Sequence, residues 1–211
     1  MRARLRFGLV GGAALAALWC KPARAAESDS AHPRVQLPGY DGVYGRFDGR
    51  LALAASAGAE LQSGATRGSL RVSAHYWWTA GVYARFADAF GGADAGHAER
   101  VASFGIDLRP LFLPRFARNY EQGPPLLDLT LDSLSLTAGG YFAQPHARSL
   151  GDERGFELGC GLGVPLFAAA RGLWLEGRAE HRFADVGPNA WVFTAALAFH
   201  GITWTAEPPR R

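Results

Sequence analysis

The chain has 211 residues with 22 basic and 19 acidic side chains, a formal net charge of +3, and that basic balance invites a nucleic-acid reading. The excess sits at one end: residues 1–25 hold five basic residues and no acidic one, and the remainder carries 17 basic and 19 acidic residues, net −2. No basic patch is left to neutralise phosphates, and the single remaining cysteine, Cys160, excludes an internal disulfide framework.

The first segment reads as an export signal. Arg2, Arg4 and Arg6 form a positive start, Phe7 to Trp19 an apolar run, and Ala23-Arg24-Ala25 a small-residue cleavage site. Cleavage is expected between Ala25 and Ala26. The apolar run is too short for a helix across a ~30 Å hydrocarbon core. A lipid-modified Cys20 would want a small residue before it, where Trp19 stands. Residues 26–42 are polar and read as an exposed leader. Residues 43–204 read as one domain and 205–211 as an exposed tail.

Alternation of apolar and polar residues begins at Arg50. Leu51, Leu53, Ala55, Ala57, Ala59 and Leu61 share one face, and Arg50, Ser56, Gly58 and Glu60 stand on the other. A period of two is the strand signature, and a dozen residues exceeds the usual ~5–6. Over 69–78, Leu70, Val72, Ala74, Tyr76 and Trp78 oppose Arg71, Ser73 and His75. A turn at Thr79-Ala80-Gly81 leads to a third strand over 81–90, with Val82, Ala84 and Phe86 opposite Tyr83 and Arg85. The glycines of FGGADAGHA mark a loop. The fourth strand, 101–109, sets Ala102, Phe104, Ile106 and Leu108 against Ser103, Asp107 and Arg109.

Residues 110–133 break the pattern with Pro110, Pro114, Pro124 and Pro125. Leu127, Leu129 and Leu131 alternate with Asp128, Thr130 and Asp132, and the phase slips by one at Ser133. A β-bulge explains the slip, and so does a short helix leading into a strand. Alternation resumes at Leu134, Leu136 and Ala138. Strands follow at 156–164, with Phe156, Leu158, Cys160, Leu162 and Val164 opposite Glu157, Gly159, Gly161 and Gly163, and at 172–183, with Leu173 and Leu175 opposite Glu176, Arg178, Glu180 and Arg182. The last runs from Trp191 to His200.

Eight strands with regular turn signals imply an all-β sandwich or barrel. The first, third, fifth and seventh connections (QSGATRG, FGGADAGHA, PHARSLGDERG, ADVGPN) read as longer and polar, and two of the three even ones (TAG, FAAARG) as short, with 110–133 the exception. Short turns at one end and longer loops at the other are the pattern of outer-membrane barrels. On these features the chain resembles the small eight-stranded outer-membrane β-barrels, such as the transmembrane domain of the OmpA type, over roughly residues 43–204. Those barrels end their last strand on an aromatic residue; here Phe199 and Trp204 are aromatic and seven residues follow.

The resemblance implies an all-β fold: a closed antiparallel up-and-down barrel of about eight strands, located in the outer membrane. Its apolar faces would meet lipid, with Trp78, Trp191 and Phe90 in aromatic girdles. Glu60, Arg71, Asp107, Arg109, Glu157, Glu176, Arg178, Glu180 and Arg182 would then be interior charges. Gly159, Gly161 and Gly163 would make room for the arginines opposite them. An eight-strand interior is filled by its own side chains, so a plugged barrel is expected rather than a pore.

The remaining motifs carry little chemistry. Glu176-x-Arg178-x-Glu180-x-Arg182 reads as an internal salt-bridge ladder rather than an ion path. Asp128 and Asp132 read as solvated rim residues rather than a catalytic pair. Gly159-x-Gly161-x-Gly163 lacks the spacing of a dinucleotide fingerprint. Ser73 with His75, His181 or His200 is the material for a lipid-modifying hydrolase, which needs nucleophile and base within hydrogen-bond reach. Cys160 reads as a small hydrophobe. The expectation is a non-enzymatic, monomeric outer-membrane barrel with outer-membrane lipid as partner and no nucleic acid, metal, cofactor or tightly bound small molecule. A lipid-modifying enzyme on the same barrel, and a soluble exported barrel binding a small apolar ligand, are the alternatives.

Overall fold

The structure is a computed structural model that describes residues 44–46, 50–94, 97–118, 120 and 123–204. The expected export signal, leader and tail lie outside the described residues. Eight strands run in chain order: β1 (Leu51–Gln62), β2 (Ala65–Tyr76), β3 (Ala80–Asp88), β4 (Ala98–Leu108), β5 (Ser135–Pro145), β6 (Glu153–Pro165), β7 (Gly172–Ala184) and β8 (Ala190–Trp204). Each pairs antiparallel with its neighbour, and β8 returns to β1, closing the barrel. The fold is therefore the closed up-and-down barrel that the resemblance implied, one of the two all-β forms the strand pattern left open.

The alternation follows from burial. On β2, Ala65, Arg67, Ser69, Arg71 and His75 are buried, while Leu70, Val72 and Tyr76 are exposed. On β4, Val101, Ser103 and Asp107 are buried and Phe104, Ile106 and Leu108 exposed. The polar face thus points inward and the apolar face outward, the reverse of a soluble barrel. In β8 the register against β1 shifts between Leu53 and Ala54, leaving Gly201 unpaired. His200, before the bulge, continues the inward phase of Val192, Ala196 and Ala198.

Three features differ from the sequence-based expectation. The first connection is only Ser63-Gly64, because Ala65-Thr66-Arg67-Gly68 belongs to β2. That segment looked like a loop because its inward residues are polar: Arg67 lies inside the barrel on Glu60. The second feature is Trp78. Trp77 and Trp78 form the β2–β3 turn with φ of 46° and 58°, and this left-handed geometry interrupts the alternation. Trp78 therefore turns inward and is buried, while Trp77 stays exposed and stacks on Tyr76 at 5.3 Å.

The third is the proline-rich segment, which folds as α1 (Phe112–Ala117) and α2 (Pro125–Asp132). Pro125 occupies the first turn of α2, where a missing N–H costs no intrahelical bond. Of the two explanations for the phase slip at Ser133, the short helix is the one found. The helices stand at the lower end of the barrel, the end where β1 begins. There Phe112 and Leu129 join Tyr44, Trp78, Ala170 and Trp174 in an apolar cluster that closes the lumen.

Candidate functional site

The interior is an ion-pair network. Eight of the nine charged residues singled out from the sequence belong to it, and the ninth, Arg109, is buried over the Trp78 ring, 5.3 Å from its centroid. Glu60, Arg71, Asp107, Arg109, Glu157, Glu176, Glu180 and Arg182 are buried, and the side chain of Arg178 is 7% exposed. Arg67, Arg85, His75 and His200 join them. Arg85 and His75 were visible on polar strand faces, but Arg67 was hidden in the supposed loop.

Two clusters divide the network. The upper one contains Arg67, Arg85 and Arg182 with Glu60, Glu157 and Glu180, so its charges balance. Arg85 sits at its centre, donating to Glu157 at 2.7 Å and to Glu180. Arg182 donates twice to Glu60 and once to Glu157 at 3.2 Å. Tyr83 donates its hydroxyl to Glu157 at 2.8 Å. The lower cluster links Arg71 to Asp107 at 2.7 Å, Arg178 to Glu176 at 3.2 Å and His200 Nε2 to Glu176 at 2.9 Å. The last pair requires the proton on Nε2.

The motif on β7 is therefore not a ladder along one strand. Only Glu176 and Arg178 pair with each other; Glu180 reaches Arg85 on β3, and Arg182 reaches Glu60 on β1 and its cross-strand neighbour Glu157 on β6. The glycine face of β6 also differs from expectation. A side chain at Gly159 would meet Glu180 Cγ at 2.5 Å, at Gly161 Arg178 Cγ at 3.1 Å, and at Gly163 the Trp174 ring at 3.0 Å. The cleared space holds one arginine, one glutamate and one tryptophan.

Asp128 and Asp132 are not solvated rim residues. They lie one helical turn apart, which puts both on one face of α2, and they are buried. Arg46 meets Asp132 at 2.6 Å, and Arg115 meets Asp128 at 2.5 Å and Asp132 at 3.2 Å. Tyr44 and the Gly123 amide also donate to Asp128. These bonds bind the helical plug together.

The hydrolase constellation is not assembled. His75 faces Asp107 with Nε2 3.6 Å from Oδ1, and no hydrogen bond joins it to Ser73 among the described residues. His181 lies on the outer face, edge-on to Phe183 and Trp191. His200 stacks between Trp78 and Trp174. Cys160 is free and exposed on the outer face.

Above the upper cluster the lumen opens into a cavity of about 550 Å³. Arg182 and Tyr141 form its floor, and Gln62, His97, Glu153 and Asn189 lie around its mouth.

No protein family matches the chain, and no curated protein does. Among solved structures, the chain is similar to the N-terminal β-barrel domain of OprF from Pseudomonas aeruginosa, with 9% identity over 72% of this chain and 98% of that one, TM-score 0.49. It is also similar to Ail, the attachment invasion locus protein of Yersinia pestis, in a complex with the heparin analogue sucrose octasulfate: 10% identity over 71% and 95%, TM-score 0.33.

Proposed function

We propose that the chain is an outer-membrane β-barrel protein with a closed lumen, exported through a signal cleaved between Ala25 and Ala26. Its role is structural or a surface interaction, and its partner is outer-membrane lipid, which it meets as a monomer. The orientation of the two faces carries this reading. An outer wall bearing Leu70 at 61%, Val82 at 60% and Phe104 at 57% exposure surrounds an interior of ion pairs. Water is a poor solvent for that wall and lipid a good one.

The geometry supports the reading in two further ways. Strands of 9 to 15 residues reach the ~9–11 needed to cross a bilayer at a tilt. Closure pairs β8 with β1 along the whole length of β1, which a lipid environment demands. A soluble barrel that binds an apolar ligand would need an apolar interior, and this interior is charged. The plug of α1 and α2 and the ion pairs above it oppose free passage through the lumen.

Cell fractionation followed by extraction tests the proposal. The protein is expected in the membrane pellet after a high-salt wash, released by detergent, and shifted in gel mobility on heating. Full release into salt buffer without detergent overturns it.

A further inference from the structure

We propose that the upper cavity is a binding site for a small amphiphile with a cationic head. The site rests on the barrel as described; only the route of entry uses the membrane reading. The cavity, about 550 Å³, falls in the range of small-molecule sites. It has a closed floor, an apolar wall, one carboxylate without an ion pair among the described residues and a notch in its rim.

The floor is Arg182 beneath Tyr141, its guanidinium carbon 5.4 Å from the ring centroid. Arg182 is already committed to Glu60 and Glu157, and the cluster below balances its charges. It therefore offers little attraction to an anion. Ala98, Val101 and Ala143 line the wall, all buried.

Glu153 is the exception to the pairing that governs this interior. It stands on the inward face of β6 above Gly155 and Glu157, at the cavity wall. Every other inward carboxylate of the barrel has an arginine or histidine partner, and Glu153 has no ion pair among the described residues. A half-buried carboxylate without an ion-pair partner selects a cation through charge. The Tyr141 ring has room because Gly155 lies against it; a Cβ there would meet Tyr141 Cε1 at 2.9 Å.

The notch lies between β1 and β8. Their pairing stops at Gln62 and Val192, so Ala190 and Trp191 stand beyond it with partners only on β7. At this gap the cavity reaches the outward side chains Leu61, Trp191 and Phe193, each at least half exposed. An alkyl tail can lie across the notch on these groups while the head meets Glu153. A molecule already in the outer part of the bilayer would enter by this route.

Calorimetric titration of the folded full-length barrel in amphipol tests the site, with hexyltrimethylammonium, n-hexanol and hexyl sulfate as probes. The cation should bind at one site per barrel, and the alcohol and sulfate should show no saturable binding. Glu153→Gln should weaken the cation about tenfold, the loss of one charge-assisted contact. Ala190→Phe, which fills the cavity beside its cross-strand neighbour Arg182, should abolish binding. Both variants must retain the heat-modifiable mobility of the parent. Equal isotherms for cation and sulfate, or a cation isotherm unchanged in both variants, overturn the proposal. If the protein proves soluble without detergent, the same titration in plain buffer still decides the cavity, so the two readings fail separately.

Discussion

Arg182 grips Glu60 through two N–H···O bonds, both 3.1 Å, reaching from β7 past β8 to β1. The residues are 122 positions apart in the chain, so the pair forms only once the barrel is closed. Arg67 adds a third bond to the same carboxylate at 3.0 Å. Removing one partner of a buried pair leaves charge without compensation, at about 3–5 kcal/mol. Glu60→Gln should therefore destabilise the folded barrel by about that amount, read as a shift of the urea midpoint in lipid vesicles. A midpoint unchanged from the parent would show that water already reaches these arginines.

A second prediction concerns Gly139 on β5. A Cβ at this position would lie 2.5 Å from the Tyr83 hydroxyl, which donates to Glu157 at 2.8 Å. Arg71 also lies over the Tyr83 ring, at 3.8 Å from its centroid. Gly139→Ala must displace the ring or spread β4 from β5, and overpacking of this kind costs about 1–3 kcal/mol. Gly139→Ala combined with Tyr83→Phe should recover part of the loss, because the shorter ring no longer occupies the contested space. A double variant less stable than the sum of the single ones would refute the assigned clash.

The barrel wall was legible because each strand obeys one rule, apolar out and polar in, and the rule survives without knowledge of the neighbours. β7 begins at Gly172 and ends at Ala184, within a residue of its reading from sequence. Where a second influence acts, the pattern misleads. Leu127, Leu129 and Leu131 alternate like a strand, yet Pro125 starts a helix and the helix then fixes which residues share a face. The four-residue spacing of Asp128 and Asp132 was the available signal, since it places two carboxylates side by side only on a helix. Trp78 could not be placed from period alone, because the turn conformation of Trp77 and Trp78 decides its direction. The cavity was illegible for another reason. It is made by where two strands cease to pair, and register belongs to the closed barrel rather than to any one segment.

The plug yields a prediction about local rather than global stability. Asp132 receives Arg46 at 2.6 Å and Arg115 at 3.2 Å, and Arg46 lies 4.0 Å over the Phe112 ring. Asp132→Ala should loosen α1 and α2 from the lower end while the strand ladder holds, since such elements open independently of the sheet. Limited trypsin digestion of the folded protein, read by mass spectrometry, should then cut faster after Arg115 and Arg118. The heat-modifiable mobility of the remaining barrel should persist. Unchanged cleavage at both sites would mean that the apolar cluster around Phe112 and Leu129 holds the plug without the carboxylate.

The orientation of the wall itself can be tested by a pair of arginines. Leu70 and Arg71 are adjacent on β2, one outward and 61% exposed, the other inward and buried. Leu70→Arg places on the outer face the charge that its neighbour carries safely inside. At the bilayer midplane this costs about 2–4 kcal/mol, falling to about 0–1 near the interface. Thr66→Arg, on the same face of β2 but at its upper end, is the control. Vesicle-embedded protein should lose stability in Leu70→Arg and little in Thr66→Arg, with the urea midpoint as readout. In water neither substitution would bury a charge, so both would leave the protein nearly unchanged. Equal midpoints for the two variants would therefore mean that the apolar wall does not face a hydrocarbon core, whatever the fold inside it.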